Sequence, residues 1–400
     1  MSERIELSLG RDTWVLQTRP GQLVEVVRPA IDRPRAGPRQ LVREALERPF
    51  GFEPLRRALT PDDLIVIVVD ESLPHLAELL AGVLEHLGTA GIRPQAVTIL
   101  SAPPAAEQGW IDDLPDEFAD VRTEIHDPQD RKKLAYLAST KAGRRIYLNR
   151  TLVESDFVIL LTGRRYDPLL GYTGAEAAIF PALGDEEMRA AYRGDFHTEA
   201  PGAQPWPVRA EAAEITWLLG TPFLVQVIEG HGDEIHEVVA GLPDSTAEGV
   251  RRQDARWRGS IGERPDTVIA VVPAEVSFAD LARAAMTAAR VVEPDGRVLI
   301  LSSAAPDLGE GARLLGRSDD PAAALRALAR EQPDDWAAAY EWATAAGQSR
   351  LFVGGGAIDE LADHLFAHPL TDNSEVQRLA DAAQRLLIIP DAHRTLLDLR

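Results

Sequence analysis

The 400-residue chain contains no cysteine. That excludes a disulfide framework, a thiolate nucleophile and any cysteine-ligated metal or iron–sulfur cluster. Lysine is nearly as scarce, occurring only at Lys132, Lys133 and Lys141, so a mechanism that needs lysine elsewhere is ruled out. Basic residues are also outnumbered, 42 Lys and Arg against 63 Asp and Glu, for a formal net charge of −21. Duplex binding rests on neutralising phosphates with basic side chains, so no nucleic-acid partner is expected. No apolar run approaches the roughly 18 residues of a membrane span, and the opening MSERIELSLGRDTW is charged throughout. The expectation is a cytoplasmic protein with no membrane partner.

Short β-branched runs recur along the chain: 64–69, 97–100, 157–161, 223–228, 268–272, 298–301, 351–353 and 386–389. Continuous apolar strands of this kind are buried on both faces. Amphipathic stretches lie between them, such as 76–87 and 279–292, the second opening at Ser277-Phe-Ala-Asp280 as a candidate N-terminal cap. Alternating strand and helix predicts an α/β fold with mostly parallel sheets flanked by helices. The length suits two domains or three, and the boundary is placed near residue 265, giving domains 1–265 and 266–400 with an interdomain cleft. The stretch 244–266 is polar, Arg-rich and only sporadically apolar, and it precedes a fresh strand after Arg264-Pro265. Residues 184–207 read as a long loop or lid, and 19–39, with four prolines, as an extended arm along the first domain.

Ligands of open α/β sheets bind beyond the carboxyl ends of the strands. The first run is followed by Asp70-Glu-Ser-Leu-Pro-His75. Asp70 and Ser72 are suited to orienting a ligand hydroxyl or phosphate and His75 to proton transfer, although either of the first two also suits a helix cap. After the third run comes Thr162-Gly-Arg-Arg-Tyr-Asp-Pro-Leu-Leu-Gly-Tyr-Thr-Gly-Ala175. Arg164 and Arg165, with the loop Tyr172, Thr173 and Gly174, form a candidate site for a small anion, because guanidinium forks and loop N–H groups both favour carboxylate or phosphate. Gly354 to Gly356 reads as a tight turn from a strand into a helix over 358–366. The cluster His231-Gly-Asp-Glu-Ile-His236 is at a hairpin tip, where alternate residues face opposite ways, and makes a poor metal site. His126 and His197 lie in polar loops.

The order of these segments resembles the nickel-dependent lactate racemase family, whose members use a nickel-pincer nucleotide to racemise or epimerise 2-hydroxy acids. The likeness runs through Leu41-Val-Arg-Glu-Ala-Leu-Glu-Arg-Pro-Phe-Gly51, Tyr136 to Arg150, Val153 to Ile159, Gly171-Tyr-Thr-Gly174 with Ile179-Phe-Pro181, and Ile388-Ile-Pro-Asp391 with Thr395-Leu396. The family's cofactor loop, Asp-x-Thr-Arg-Pro, corresponds to Asp70-Glu-Ser-Leu-Pro74, with Leu73 in place of arginine. Its Gly-Thr-His-Arg, with a proton-transferring histidine, corresponds to Ala102-Pro-Pro-Ala105. A second histidine corresponds to Asp167, the cofactor-anchoring lysine to Ala177, and a substrate-positioning lysine to Arg283. His197 falls near the family's nickel-ligating histidine.

The resemblance therefore implies the nickel-pincer cofactor while the residues that would serve it have changed. The favoured expectation is a diverged member that binds a small anionic ligand, 2-hydroxy-acid-like or nucleotide-like, in the cleft. Asp70, Ser72, Arg164, Arg165, Tyr172, Thr173, Gly174 and Arg283 would line it. The alternative is an active racemase or epimerase of an unusual 2-hydroxy acid, with Asp167 and His75 or His126 as replacement bases. A third reading is a regulatory partner that docks another protein through its acidic face. Oligomeric state is left open, symmetric dimers being common among large α/β proteins.

Overall fold

All eight β-branched runs become strands, and they divide evenly between two six-stranded sheets. The computed structural model describes residues 4–9, 12–27, 34–103, 107–202, 204–356, 362 and 364–400. Its contacts separate the chain into one unit of Met1–Ile31 with Arg256–Arg400 and another of Asp32–Ala255.

In the unit Asp32–Ala255 the strand order is Ile235–Gly241, Phe223–Glu229, Phe157–Gly163, Ile65–Val69, Val97–Ser101, Arg122–Ile125. All neighbours are parallel except the antiparallel hairpin at the first edge. Every residue of Ile65–Val69 and Phe223–Glu229 is buried, because the sheet is covered on both sides. Ile65, Ile67 and Val69 pack with Val42, Leu46, Leu79 and Val83 of helices Pro38–Glu47 and Leu76–Thr89. The alternate residues Val66 and Val68 pack with Leu148, Phe180 and Ile215 on the opposite face, as the two-residue repeat of a strand requires.

The second sheet runs Ala367–Leu370, Arg350–Gly354, Arg297–Leu301, Thr267–Val271, Arg385–Ile389, Leu23–Val26, parallel throughout. Here the structure departs from the sequence reading. Part of the stretch taken as an arm along the first domain is an edge strand, Leu23–Val26, paired with Arg385–Ile389. The polar stretch 244–266 carries helix Thr246–Trp257 and strand Arg258–Ile261. The division at 255/256 therefore falls ahead of the boundary placed near 265. Residues 184–207 include helix Glu186–Ala191, capped by the Asp185 carboxylate, which accepts the Met188 N–H at 2.9 Å. Of the turn at Gly354 to Gly356, the helix foreseen over 358–366 falls largely outside the described residues.

Helix Phe278–Val291 starts where its sequence signal placed it. Ser277 Oγ accepts the Asp280 N–H at 3.3 Å, and Asp280 Oδ2 accepts the Ser277 N–H at 3.0 Å. Ser277→Ala removes one half of this reciprocal cap and is expected to cost about 1 kcal/mol, read as a lower urea midpoint with an unchanged slope.

Candidate ligand-binding site

Three adjacent parallel strands, Phe223–Glu229, Phe157–Gly163 and Ile65–Val69, bring their carboxyl ends side by side. Arg165 ties these ends together. Its Nη1 donates to Asp70 Oδ2 at 2.7 Å and Ser72 Oγ at 2.9 Å, and its Nη2 donates to Glu229. Asp70 in turn accepts the Gly163 N–H at 3.2 Å and the Ser72 N–H at 3.1 Å. Burial works against the Asp70 charge, but the Arg165 guanidinium and the hydrogen bonds from Ser72 and Arg165 outweigh it and hold the carboxyl below its ordinary range. Asp70 and Ser72 do not cap the next helix. That helix, Leu76–Thr89, begins after His75, which sits in the left-handed region at φ 54°.

Arg164 points elsewhere and is 1% exposed. Its Nε and Nη2 donate to Gln226 Oε1 at 2.9 and 2.6 Å, and its Nη1 donates to the Thr173 carbonyl at 2.8 Å. All of these acceptors are neutral. Burial, with Arg209 beside it, pushes the Arg164 guanidinium down to about 9, so it remains a cation at neutral pH. Gly249 permits this burial: a Cβ there would stand 2.0 Å from Gln226 Oε1.

Arg209 was not singled out from the sequence. It lies in helix Pro207–Leu219 among the buried residues Val208, Ala212 and Ile215, and its only sequence signal is a charge interrupting an apolar stripe. Its Nη1 donates to the Tyr172 carbonyl at 2.7 Å and its Nη2 to Glu176 Oε2 at 3.0 Å. The other Glu176 oxygen accepts the Thr246 hydroxyl at 2.7 Å. Above this network lies a cavity of about 510 Å³ whose walls include Gly171, Tyr172, Trp206, Arg209 and Thr246. The Tyr172 and Tyr166 hydroxyls both donate to Asp254. Thr173 stitches the loop to the strand end, donating from Oγ1 to the Gly163 carbonyl at 2.9 Å and accepting the Arg165 N–H at 3.0 Å.

The structure thus gathers Asp70, Ser72 and Arg165 into one cluster, and Arg164, Tyr172, Thr173 and Gly174 into the adjoining one. The remaining candidates are dispersed. Asp167 accepts the N–H groups of Leu169 and Leu170 at 2.9 and 2.7 Å. His75 faces Glu78 and Asp233 at 3.8 and 3.6 Å. His126 is buried and donates from Nε2 to the Gly184 carbonyl at 2.8 Å, and burial pushes its imidazole below the ordinary range. His197 stacks on Trp206 with 4.1 Å between ring centroids. Arg283 belongs to the other unit, where it donates to Asp280 at 3.0 Å. Leu73 lies in the hydrophobic core with Leu76 and Leu79. Ala177 is buried in the turn Ala175–Ala178. Among the described residues, no three His, Asp or Glu side chains are grouped to hold a metal ion.

Three outcomes test this geometry. Arg165→Met strands two carboxylates and is expected to destabilise the protein by about 3–5 kcal/mol. Because the folded Asp70 is shifted down, its contribution is complete above about pH 4 and is lost as pH falls through the folded value; Asp70→Asn should flatten that part of the stability–pH curve. A Gly174 Cβ would meet the Gly163 carbonyl oxygen at 2.6 Å, at φ +73°, whereas a Cβ on Gly202 meets nothing within 4 Å. Gly174→Ala should therefore lower the melting temperature clearly, and Gly202→Ala should leave it nearly unchanged.

Residues 9–197 match the family model of the lactate racemase N-terminal domain. No curated protein matches the chain. Among solved structures, the lactate racemase apoprotein from Thermoanaerobacterium thermosaccharolyticum aligns with a TM-score of 0.80 at 17% identity, covering 99% of this chain and 100% of that one. A Thermotoga maritima protein solved by structural genomics aligns with a TM-score of 0.65 at 12% identity, covering 90% and 98%. At these identities the two alignments speak for the fold: the chain has the fold of the lactate racemase apoprotein, and its residues 9–197 match the N-terminal domain model of that family.

Proposed function

We propose that this chain is a diverged lactate-racemase-like protein that binds a small anionic ligand, 2-hydroxy-acid-like or nucleotide-like, without nickel-pincer racemase chemistry. The observation that carries the reading is the pair of buried guanidiniums, Arg164 and Arg209. Only Arg209 has a carboxylate, Glu176, among its hydrogen-bond partners, and Arg209 forms part of the cavity wall. Arg164 is hydrogen-bonded only by neutral oxygens and the Glu176 charge acts on both guanidiniums; Arg209 is the cation on the cavity wall with which an anion would pair, in surroundings of low dielectric.

The nickel-pincer nucleotide does not fit the residues that would hold it. At the position matched to the anchoring lysine stands Ala177, whose methyl group offers no nitrogen for a covalent tether. Lys132 and Lys133 lie in the turn Arg131–Lys133, and Lys141 lies between strands Leu134–Ser139 and Arg145–Asn149. Racemisation also needs a base on each face of the hydroxyl carbon. Asp167 accepts two backbone N–H groups, both on Oδ1, and the buried His126 donates from Nε2 to a backbone carbonyl. The Arg165 cluster does not serve as an open anion site, because one guanidinium is shared by two carboxylates.

Calorimetric titration with lactate, glycerate and AMP tests the reading. Saturable binding of at least one is expected, with a melting-temperature rise that grows with ligand excess and at least a tenfold loss of affinity in Arg209→Gln. Failure of every probe to bind would reject the ligand-binding role. Protein produced alongside the cofactor pathway should show an unmodified intact mass and no stoichiometric nickel; an added cofactor mass would return the chain to the racemases.

A further inference from the structure

The Arg209 cavity is larger and less polar than lactate or glycerate requires. At about 510 Å³ it falls in the range of roughly 300–1,000 Å³ that encloses drug-sized ligands, and a three-carbon acid would leave most of it to water. Its walls include Leu170, Tyr172, Trp206, Val250 and three prolines, and Arg209 is the only basic residue among the described walls. A mostly apolar cavity with one charged group to fix orientation suits a ligand with one charge and a carbon body.

The aromatic walls are held so that their rings are what a ligand meets. His197 stacks on Trp206 with 22° between the ring planes, so the indole reaches the cavity by its other face or an edge. Gly171, at φ +77°, permits the close approach: a Cβ there would stand 3.2 Å from Pro201 Cβ and 3.6 Å from Trp206 Cε3. The Tyr172 hydroxyl donates to Asp254, which commits its proton and leaves the ring as wall.

The charge suits a monoanion. Arg209 donates to the Tyr172 and Gly174 carbonyls and to Glu176, and of the five N–H groups of a guanidinium these bonds leave two for a ligand. Glu176 answers one of the two charges on Arg164 and Arg209, and the exposed Asp244 on the cavity wall opposes any further negative charge. A carboxylate matches that balance. A phosphate monoester, with nearly two negative charges at neutral pH, exceeds it.

We propose, resting on the anion-binding reading of this cavity, that its ligand is an arylalkanoate. The aromatic ring lies against Trp206, Leu170 and Val250, and the carboxylate accepts from Arg209.

Calorimetric titration of the full chain with 3-phenylpropionate, 3-phenylpropanamide, lactate and AMP is the test. 3-Phenylpropionate should bind about tenfold more tightly than lactate or AMP, because its ring covers wall that a methyl group leaves bare, and with a negative heat-capacity change that lactate lacks. The amide, with the same ring and no charge, should bind about tenfold more weakly than the acid. Trp206→Ala should weaken 3-phenylpropionate about tenfold and lactate much less. If that variant does not fold, Val250→Asn, half-buried on helix Thr246–Trp257, replaces it with the same expected split. Lactate or AMP binding as tightly as 3-phenylpropionate would overturn the arylalkanoate and leave the anion-binding role standing. Equal binding of acid and amide, or no binding of any of the four, would overturn both.

Discussion

Two consecutive arginines at the end of one central strand organise the surroundings of the Asp32–Ala255 sheet. Neighbouring residues on an extended chain face opposite ways, so Arg164 goes into the protein and Arg165 across the strand ends. Buried charge is tolerated only when its hydrogen-bonding capacity is met. Gln226, the Thr173 carbonyl, Gly249 and the start of helix Thr246–Trp257 take the positions they have partly because a guanidinium must be enclosed there. Asp70 and Glu229, from strands on either side, are drawn to the other one.

The same constraint separates what the sequence disclosed from what it concealed. Strands such as Ile65–Val69 and Phe223–Glu229 were legible because burial on both faces leaves an uninterrupted apolar run, a local property. The cap at Ser277 and Asp280 was legible because it is closed within four residues. Arg164 and Arg165 could be marked as notable, but not told apart: their partners lie about sixty to a hundred positions away, in Gln226, Glu229 and Asp70. Arg209 left hardly any trace, since a charge within an apolar stripe also describes a side chain that reaches out to water. Strand Leu23–Val26 was missed for a related reason. It is exposed or half-buried along its length, and only its pairing with a strand more than three hundred residues later makes it β.

Several of the positions that the sequence likeness sets against the family's cofactor and catalytic residues serve the packing and hydrogen bonding of this chain. Leu73 contributes to the core, Ala177 fills a buried turn, and Asp167 secures the start of the Gly-rich loop. A larger or more polar side chain at any one of them would have to displace packing or hydrogen bonds that the fold uses.

The placement of Leu23–Val26 also sets an order of assembly. Arg385–Ile389 is the strand that joins it to Thr267–Val271, and it comes after every other strand of that sheet. On the ribosome, Leu23–Val26 must wait without this partner through the synthesis of the whole Asp32–Ala255 unit, which is continuous in sequence and can fold as it emerges. The sheet closes only when Arg385–Ile389 pairs on both sides, with Leu23–Val26 and with Thr267–Val271. A chain truncated before Arg385 therefore leaves an early strand without its neighbour, and an unpaired sheet edge is the form in which such a product would be caught by chaperones or by other chains.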